Sequence, residues 1–155
     1  MRRLALPLAA LLAAACAPAA MSTPPAAAPP AMATAAPAMG GIIGNYTVTL
    51  ADSDVPSAMP ADAHAGLVGA WTVAIHPGNH FVATFKGNQV VEGHYEVNGN
   101  QITFPVGESG EYACTDPATY TWRRSGNQLT FAQVGQDACA GRAVVLTSHP
   151  LIAAP

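Results

Sequence analysis

The chain has 155 residues, of which half are hydrophobic and only 10% are charged. A chain of this length supports one domain. Its formal net charge is −3, from six basic and nine acidic residues. So few Lys and Arg argue against a nucleic-acid partner, because clustered cations are needed to bind a phosphate backbone.

Residues 1–15 have the composition of an export signal. Two arginines follow the first Met, then a Leu/Ala-rich run leads to small residues before Cys16. The run is too short to span a membrane and is typical of the apolar part of a signal peptide. One interpretation is an ordinary secretory signal that is cut at an Ala-x-Ala site.

The residues from Leu12 to Cys16 read Leu-Ala-Ala-Ala-Cys, which resembles the lipobox of bacterial lipoproteins. In those proteins the cysteine is lipidated, for example with palmitate, and becomes the mature N-terminus. The family prefers Leu three places before the cysteine, where this chain has Ala13. The resemblance implies a protein that is exported and lipid-anchored in the bacterial cell envelope through Cys16.

Residues 16–41 consist almost entirely of Ala, Pro, Met, Ser, Thr and Gly. Six prolines between positions 18 and 37 block a continuous helix and favour extended chain. We therefore predict a disordered tether over residues 16–41 and a folded domain over residues 42–152.

The folded domain reads as a series of short strands. A strand is predicted over residues 46–50, a helical turn over 61–67, and an alternating strand over 69–75 that begins with a Gly-x-Trp step. The phrase Gly-Asn-Gln then recurs at positions 87, 99 and 126, each time before a strand. A last strand is predicted over residues 142–147. The fold class is all-β, a small antiparallel up-and-down barrel of about eight or nine strands with one short helical turn before the Gly-x-Trp strand.

The parity of the apolar residues predicts how the strands pair. A loop over residues 77–79 pairs Ile75 with Phe81, and turns at 98–99 and 125–126 keep the large apolar side chains on one face. The hairpin between them requires a β-bulge at residues 90–91, which turns Glu92 and His94 outward. Without the bulge, Glu92 and His94 point into the barrel as a polar pair.

Two cysteines remain after the leader, Cys114 and Cys139. An even number in an exported domain indicates a disulfide. The alternative is a catalytic thiol paired with a histidine, which requires a free cysteine.

The Gly-x-Trp step at Trp71, the hairpin series and Arg142 on the predicted last strand resemble the lipocalin-like (calycin) barrels over about residues 65–150. The resemblance implies that Trp71 closes one end of the barrel and that Arg142 packs across it. Asp137 is an alternative partner for Arg142. The resemblance also implies a binding module for a small hydrophobic molecule or lipid, which would reach the interior by the end away from Trp71.

Aromatic side chains dominate the predicted inward face and are the candidate ligand-lining residues. They are Phe81, Phe85, Tyr95, Phe104, Tyr120, Trp122 and Phe131. A barrel of this size can instead be filled by its own side chains. The alternative function is therefore a structural or inhibitor-like interaction barrel that meets a partner protein through loops 52–60 or 107–116.

His76 and His80 are expected to face each other on the outer surface, with His94 and Glu92 nearby. These residue types can ligate a divalent metal. Surface histidines without a metal are commoner, so no metal is predicted. The sequence contains no pattern that indicates an enzyme. We therefore predict a monomeric protein without catalytic activity or cofactor.

Overall fold

The computed structural model describes residues 41–155, which form nine antiparallel strands in a nearly closed barrel with two short helices. The predicted signal peptide, Cys16 and the tether up to residue 40 lie outside the described residues. The strands are β1 (Gly44–Leu50), β2 (Gly69–His76), β3 (His80–Phe85), β4 (Asn88–His94), β5 (Glu96–Asn98), β6 (Gln101–Phe104), β7 (Ala118–Ser125), β8 (Gln128–Val134) and β9 (Leu151–Ala153). The helices are α1 (Ala61–Leu67) and α2 (Ala140–Thr147). The predicted all-β barrel and the helical turn before β2 are confirmed.

The strands follow one another around the barrel in the order β4-β3-β2-β1-β9-β8-β7-β6-β5. Every neighbour is also a neighbour along the chain except β1 and β9, whose pairing joins the two ends of the meander. Strands β4 and β5 lie at the two ends of this order and are separated only by Tyr95. The free edge of β4 is covered by the segment before β7, because Glu92 and Ser109 exchange two backbone hydrogen bonds of 2.9 and 2.8 Å. A covered edge cannot pair with another chain.

Strand β2 has the alternation that the sequence predicts. Trp71, Val73 and Ile75 are buried, and the residues between them are half-buried. Ile75 pairs with Phe81 across the loop at 77–79, which confirms the predicted register of the first hairpin.

The predicted β-bulge is also confirmed. Ala83 pairs with Val91 and Thr84 with Gln89, so that Val90 is the extra residue on β4. Successive residues of a regular strand point to opposite faces of the sheet. Val90 and Val91 are both buried, which the bulge makes possible. After the bulge, Glu92 and His94 are exposed, as expected.

Two predicted turns are displaced by one residue. The turns are Gly99-Asn100 and Gly126-Asn127, so Val97 pairs with Ile102 and Trp122 with Phe131. The reason is conformational: these two glycines have φ angles of 60° and 59°. Positive φ at the first central position is the requirement of a type II′ hairpin, which glycine meets without strain. The shift preserves parity, so the large apolar side chains still face inward.

The predicted last strand over residues 142–147 is wrong, because these residues belong to α2. Val144, Val145 and Leu146 are buried one after another. A short apolar run of this kind fits a buried strand or a buried helix equally well by periodicity. The place beside β1 and β8 is taken instead by β9, and α2 packs against β8.

The inward-facing side chains of the barrel form one buried hydrophobic core. The most completely buried of them are Tyr46, Tyr120, Ile42, Leu50, Ile75, Ile102, Leu129 and Leu151. Within residues 41–155, neither helix has the length and apolar character that a membrane crossing requires.

Candidate functional site

A cavity of about 510 Å³ lies between the barrel wall and a cap formed by α1, α2 and residues 108–114. The barrel wall contributes side chains from β2, β3, β4 and β6. The apolar lining residues are Met59, Ala63, Leu67, Trp71, Val73, Phe81, Ala83, Val91, Phe104, Tyr112, Val145 and Leu146. The cavity thus has apolar walls and a cap made of three short segments.

Of the predicted ligand-lining residues, only Phe81 and Phe104 line this cavity. The other five pack elsewhere in the buried core: they are Phe85, Tyr95, Tyr120, Trp122 and Phe131. The Tyr95 hydroxyl donates to the carbonyl of His76 at 2.8 Å, and the Tyr120 hydroxyl donates to Asp137. Both hydroxyls are therefore bonded within the protein, and neither residue lines the cavity.

Trp71 lines the cavity, so this space lies on the Trp71 side of the barrel, whereas the resemblance implied that a ligand enters from the other end. Its indole Nε1 donates a 2.9 Å hydrogen bond to the carbonyl of Leu67 at the end of α1. Its ring lies 4.8 Å from that of Phe85 and 6.1 Å from that of Tyr112, centroid to centroid. The hydrogen bond ties the end of α1 to the side chain of Trp71 on β2.

Arg142 does not stack on Trp71, and the predicted barrel-closing pair is wrong. Because Arg142 lies on α2, its guanidinium approaches the ring of Phe104, with the central carbon 5.8 Å from the ring centroid. It binds Asp137 through Nε at 2.7 Å and Nη2 at 2.8 Å. The alternative partner for Arg142 is thus the one observed.

Glu108 completes this buried cluster from the other side of the guanidinium. Its Oε1 accepts from Arg142 Nη1 at 2.6 Å, and Arg142 Nη2 also donates to the carbonyl of Asp116 at 2.7 Å. The side chains of Glu108, Asp137 and Arg142 are only 2%, 1% and 8% exposed. Hydrogen bonds between ionised groups at such distances are the stronger kind found in proteins. The cluster carries two carboxylates for one guanidinium.

Burial and hydrogen bonding have opposite effects on the pKa values of Asp137 and Arg142. Burial by itself would raise the pKa of Asp137, but hydrogen bonds from Arg142, Tyr120 and the Cys139 N–H outweigh it and lower the pKa. For Arg142, burial favours a lower pKa, but Asp137 and Glu108 outweigh it and raise the pKa. Burial and the neighbouring carboxylate of Asp137 both raise the pKa of Tyr120. Asp137 and Arg142 are therefore charged, and Tyr120 is neutral, near neutral pH.

The disulfide between Cys114 and Cys139 is present, as predicted. The backbone N–H of Cys114 donates to Glu108 Oε2, and that of Cys139 donates to Asp137 Oδ1, each at 2.8 Å. The two carboxylates that hold Arg142 therefore also bind the backbone at both ends of the disulfide. Both cysteines line the cavity.

The histidines of the outer face form a row across three strands. His76 pairs with His80 and His80 with His94, with ring centroids 5.7 and 6.0 Å apart. Within residues 41–155, no group of three or more His, Cys, Asp or Glu side chains is arranged to hold a metal ion.

Sequence reasoning missed the polar residues that line the cavity, namely Asp62, Glu108 and Glu111. Glu108 and Glu111 lie in loop 107–116, for which the sequence suggests only contact with a partner protein. Glu108 and Glu111 lie six and three residues before Cys114, and the disulfide from Cys114 to Cys139 brings this segment to α2. Their closeness to Cys114 in the sequence is therefore the one signal that could have indicated them. No periodic pattern marks them.

The arrangement is chemically suited to holding an apolar molecule, since small-molecule sites are typically concave, mostly apolar and bounded by a few fixed polar groups. Its charged groups belong to the ion cluster of Arg142 or are exposed at the cap, and its walls are aromatic and aliphatic. Comparison of the chain with protein-family models, with curated proteins and with solved structures finds no match.

Proposed function

We propose that the protein is an exported, non-catalytic binding module, lipid-anchored in the bacterial cell envelope through Cys16, and that its cavity holds a small hydrophobic molecule or lipid. The observation that carries this proposal is the apolar cavity of about 510 Å³ under α1 and α2. Ligand sites usually enclose about 300–1,000 Å³, so the size fits a small molecule.

The cavity lies beside a core of buried side chains. Protein interiors are close-packed and contain few voids larger than a water molecule. Small barrels reach that density with their own side chains, as this one does around Tyr46, Ile75 and Leu129. Larger side chains at Ala83 or Ala63 could have filled the remaining space, yet both positions hold alanine. The small side chains at these two positions support the proposal that the cavity holds a ligand.

The export and anchoring parts of the proposal rest on residues 1–41. The lipobox-like run ends at Cys16, and the Ala/Pro-rich segment that follows has the composition of an extended linker. At about 3 Å per residue, such a linker would place the barrel several tens of ångströms from the membrane. There the cavity could exchange an apolar molecule with the lipid or with the surrounding solution.

Uptake of Nile red, a neutral hydrophobic fluorophore, tests ligand binding. Ala63 and Ala65 are both exposed on α1, but only Ala63 lines the cavity. We expect Ala63→Trp to reduce Nile red affinity by about tenfold, since the indole occupies the ligand's space at a cost of ~1–2 kcal/mol. The matched variant Ala65→Trp should bind as the wild type does.

Native mass spectrometry of the mature protein, extracted from membranes, provides a second test. A co-purifying lipid or small molecule that is lost in Ala63→Trp supports the proposal. A barrel that takes up neither Nile red nor a cellular molecule would refute ligand binding and favour the interaction barrel, which contacts a protein through its loops.

Anchoring is tested by the substitution Cys16→Ser. The wild type should incorporate labelled palmitate and sediment with membranes, because several acyl chains on one residue give stable attachment. Cys16→Ser should lose both properties. Equal membrane sedimentation of the two proteins would contradict the lipid anchor and leave an ordinary secretory signal as the interpretation.

A further inference from the structure

The charges around the cavity indicate which class of hydrophobic molecule it accepts. Among the described residues that line it, Arg142 is the single Lys or Arg, whereas Asp62, Glu108 and Glu111 are acidic. An amphiphile places its tail in an apolar cavity and leaves its head group near the mouth. The charges at the mouth therefore decide between cationic, neutral and anionic head groups.

Arg142 offers an anion only one of its N–H groups. Four of its five N–H groups already donate, two to Asp137, one to Glu108 and one to the carbonyl of Asp116. Its charge is exceeded by that of the two carboxylates that hold it. An incoming carboxylate or phosphate meets one remaining N–H group, and a two-pronged contact with Arg142 requires that it displace a buried partner, which is strongly unfavourable.

The mouth itself adds negative charge. Asp62 on α1 and Glu111 before β7 are exposed residues that line the cavity. Neither forms an ion pair with another residue of the described part of the chain. The cavity wall and Asp137 behind it therefore carry four carboxylates against one guanidinium.

Aromatic rings accompany these carboxylates. Trp71 and Tyr112 both line the cavity, and Tyr112 is only half-buried. The faces of Trp and Tyr rings attract ammonium groups, with the strongest effect where water is partly excluded. Carboxylates and aromatic rings that line one cavity form an environment that favours a cation.

We infer that the cavity selects amphiphiles with a cationic head group, such as long-chain amines, over neutral ones and excludes anionic ones such as fatty acids. This inference rests on the proposed function, because it requires that the cavity bind a hydrophobic molecule. The apolar walls hold the tail, Asp62 and Glu111 with the aromatic rings attract the head, and the charge of Arg142 is already exceeded by that of its two carboxylate partners.

The test is the displacement of Nile red by three molecules with the same tail: dodecylamine, dodecanol and dodecanoate, near neutral pH and below their micelle-forming concentrations. The amine should bind about tenfold more tightly than the alcohol, which corresponds to ~1.4 kcal/mol, and dodecanoate should bind more weakly than the alcohol. The preference for the amine should decrease at high ionic strength, because salt screens exposed carboxylates.

The double variant Asp62→Asn/Glu111→Gln identifies the carboxylates responsible. It should lose about fivefold in affinity for dodecylamine and keep its affinity for dodecanol. The control Asp52→Asn/Glu96→Gln makes the same change in net charge at exposed residues that do not line the cavity, and should bind all three molecules as the wild type does. Equal effects of the two double variants would overturn the assignment of the head-group site.

The two proposals fail in different ways. If dodecanoate binds as tightly as dodecylamine, while Ala63→Trp weakens both, the charge selection is wrong and the binding function stands. If Nile red itself does not bind and no cellular molecule co-purifies, both the charge selection and the binding function are wrong.

Discussion

Arg142 holds Asp137 in a two-pronged ion pair, with Nε 2.7 Å from Oδ2 and Nη2 2.8 Å from Oδ1. Asp137 lies two residues before Cys139, and Glu108, the second carboxylate on Arg142, lies six before Cys114. The ion cluster and the disulfide thus join the same two segments of the chain. One of these segments forms part of the cap, and the other leads into α2. The cap is therefore held covalently and electrostatically at the same place.

Removing the guanidinium should be strongly destabilising. Arg142→Met leaves two buried carboxylates without a cation, and we expect a loss of about 3–5 kcal/mol in the free energy of unfolding. Arg123→Met, at an exposed arginine of β7, is the matched control and should change it by less than about 0.5 kcal/mol. Urea denaturation measures both. The triple variant Arg142→Met/Asp137→Asn/Glu108→Gln should recover part of the loss, and failure to do so would show that packing of Arg142, not its charge, matters.

Acid should weaken the barrel through Asp137. Because its pKa is lowered in the folded state, its contribution to stability is present above the unfolded pKa of about 3.9 and is lost as the pH falls through the folded value. We expect the free energy of unfolding to fall below about pH 4, and less steeply in Asp137→Asn. Urea denaturation between neutral and acidic pH measures the slopes. Asp62→Asn, at an exposed carboxylate, should follow the wild-type curve, and equal slopes for all three proteins would contradict the assignment.

Removal of the disulfide should destabilise the barrel without unfolding it. The cysteines are 25 residues apart, and closing a loop of that length contributes about 3 kcal/mol by chain entropy. The double variant Cys114→Ser/Cys139→Ser should therefore unfold at a lower urea concentration than the wild type. Without urea, its far-UV circular dichroism spectrum should match that of the wild type. Combined with Arg142→Met, its effect should deviate from additivity by more than about 0.5 kcal/mol, because both changes release the same segments. Strict additivity would show that the two links act independently.

Local patterns were enough to predict much of the barrel. Strand β2 alternates regularly from Trp71 to Ile75, and the conflict of parity between two hairpins predicted the bulge beside Val91. Both signals depend on residues close in the chain. The positions of the Gly-Asn turns were missed by one residue because parity cannot distinguish registers that differ by two positions in pairing.

The cap could not be predicted in the same way. The apolar run from Val144 to Leu146 is compatible with a strand or a helix. It forms a helix, and β9 occupies the place in the sheet beside β1. Once α2 is a helix, Arg142 faces Asp137 and Phe104, and the cavity opens beneath it. The cavity depends on how three distant segments meet, which no single pattern in the sequence encodes.

The open space beside Ala83 predicts an unusual response to a larger side chain. Ala83 and Ala118 are both buried strand alanines, but only Ala83 lines the cavity. Ala118→Leu should lose about 1–3 kcal/mol by overpacking, whereas Ala83→Leu should be neutral or slightly stabilising, since its extra methyl groups enter empty space. Thermal unfolding compares the two. A similar loss of stability in both variants would show that the cap packs against β3 in solution and leaves no open space beside Ala83.

The two tryptophans should respond differently to replacement by phenylalanine. Trp71→Phe removes the hydrogen bond to the Leu67 carbonyl and enlarges the cavity, so we expect a loss of about 2–3 kcal/mol in the free energy of unfolding. The Nε1 of Trp122 is buried and has no hydrogen-bond partner among the described residues. An unpaired buried donor costs about 1–3 kcal/mol, and its removal in Trp122→Phe should offset most of the lost contact area. Urea denaturation followed by far-UV circular dichroism measures both variants, and a loss in Trp122→Phe equal to that in Trp71→Phe would show that the Trp122 indole has a partner in solution.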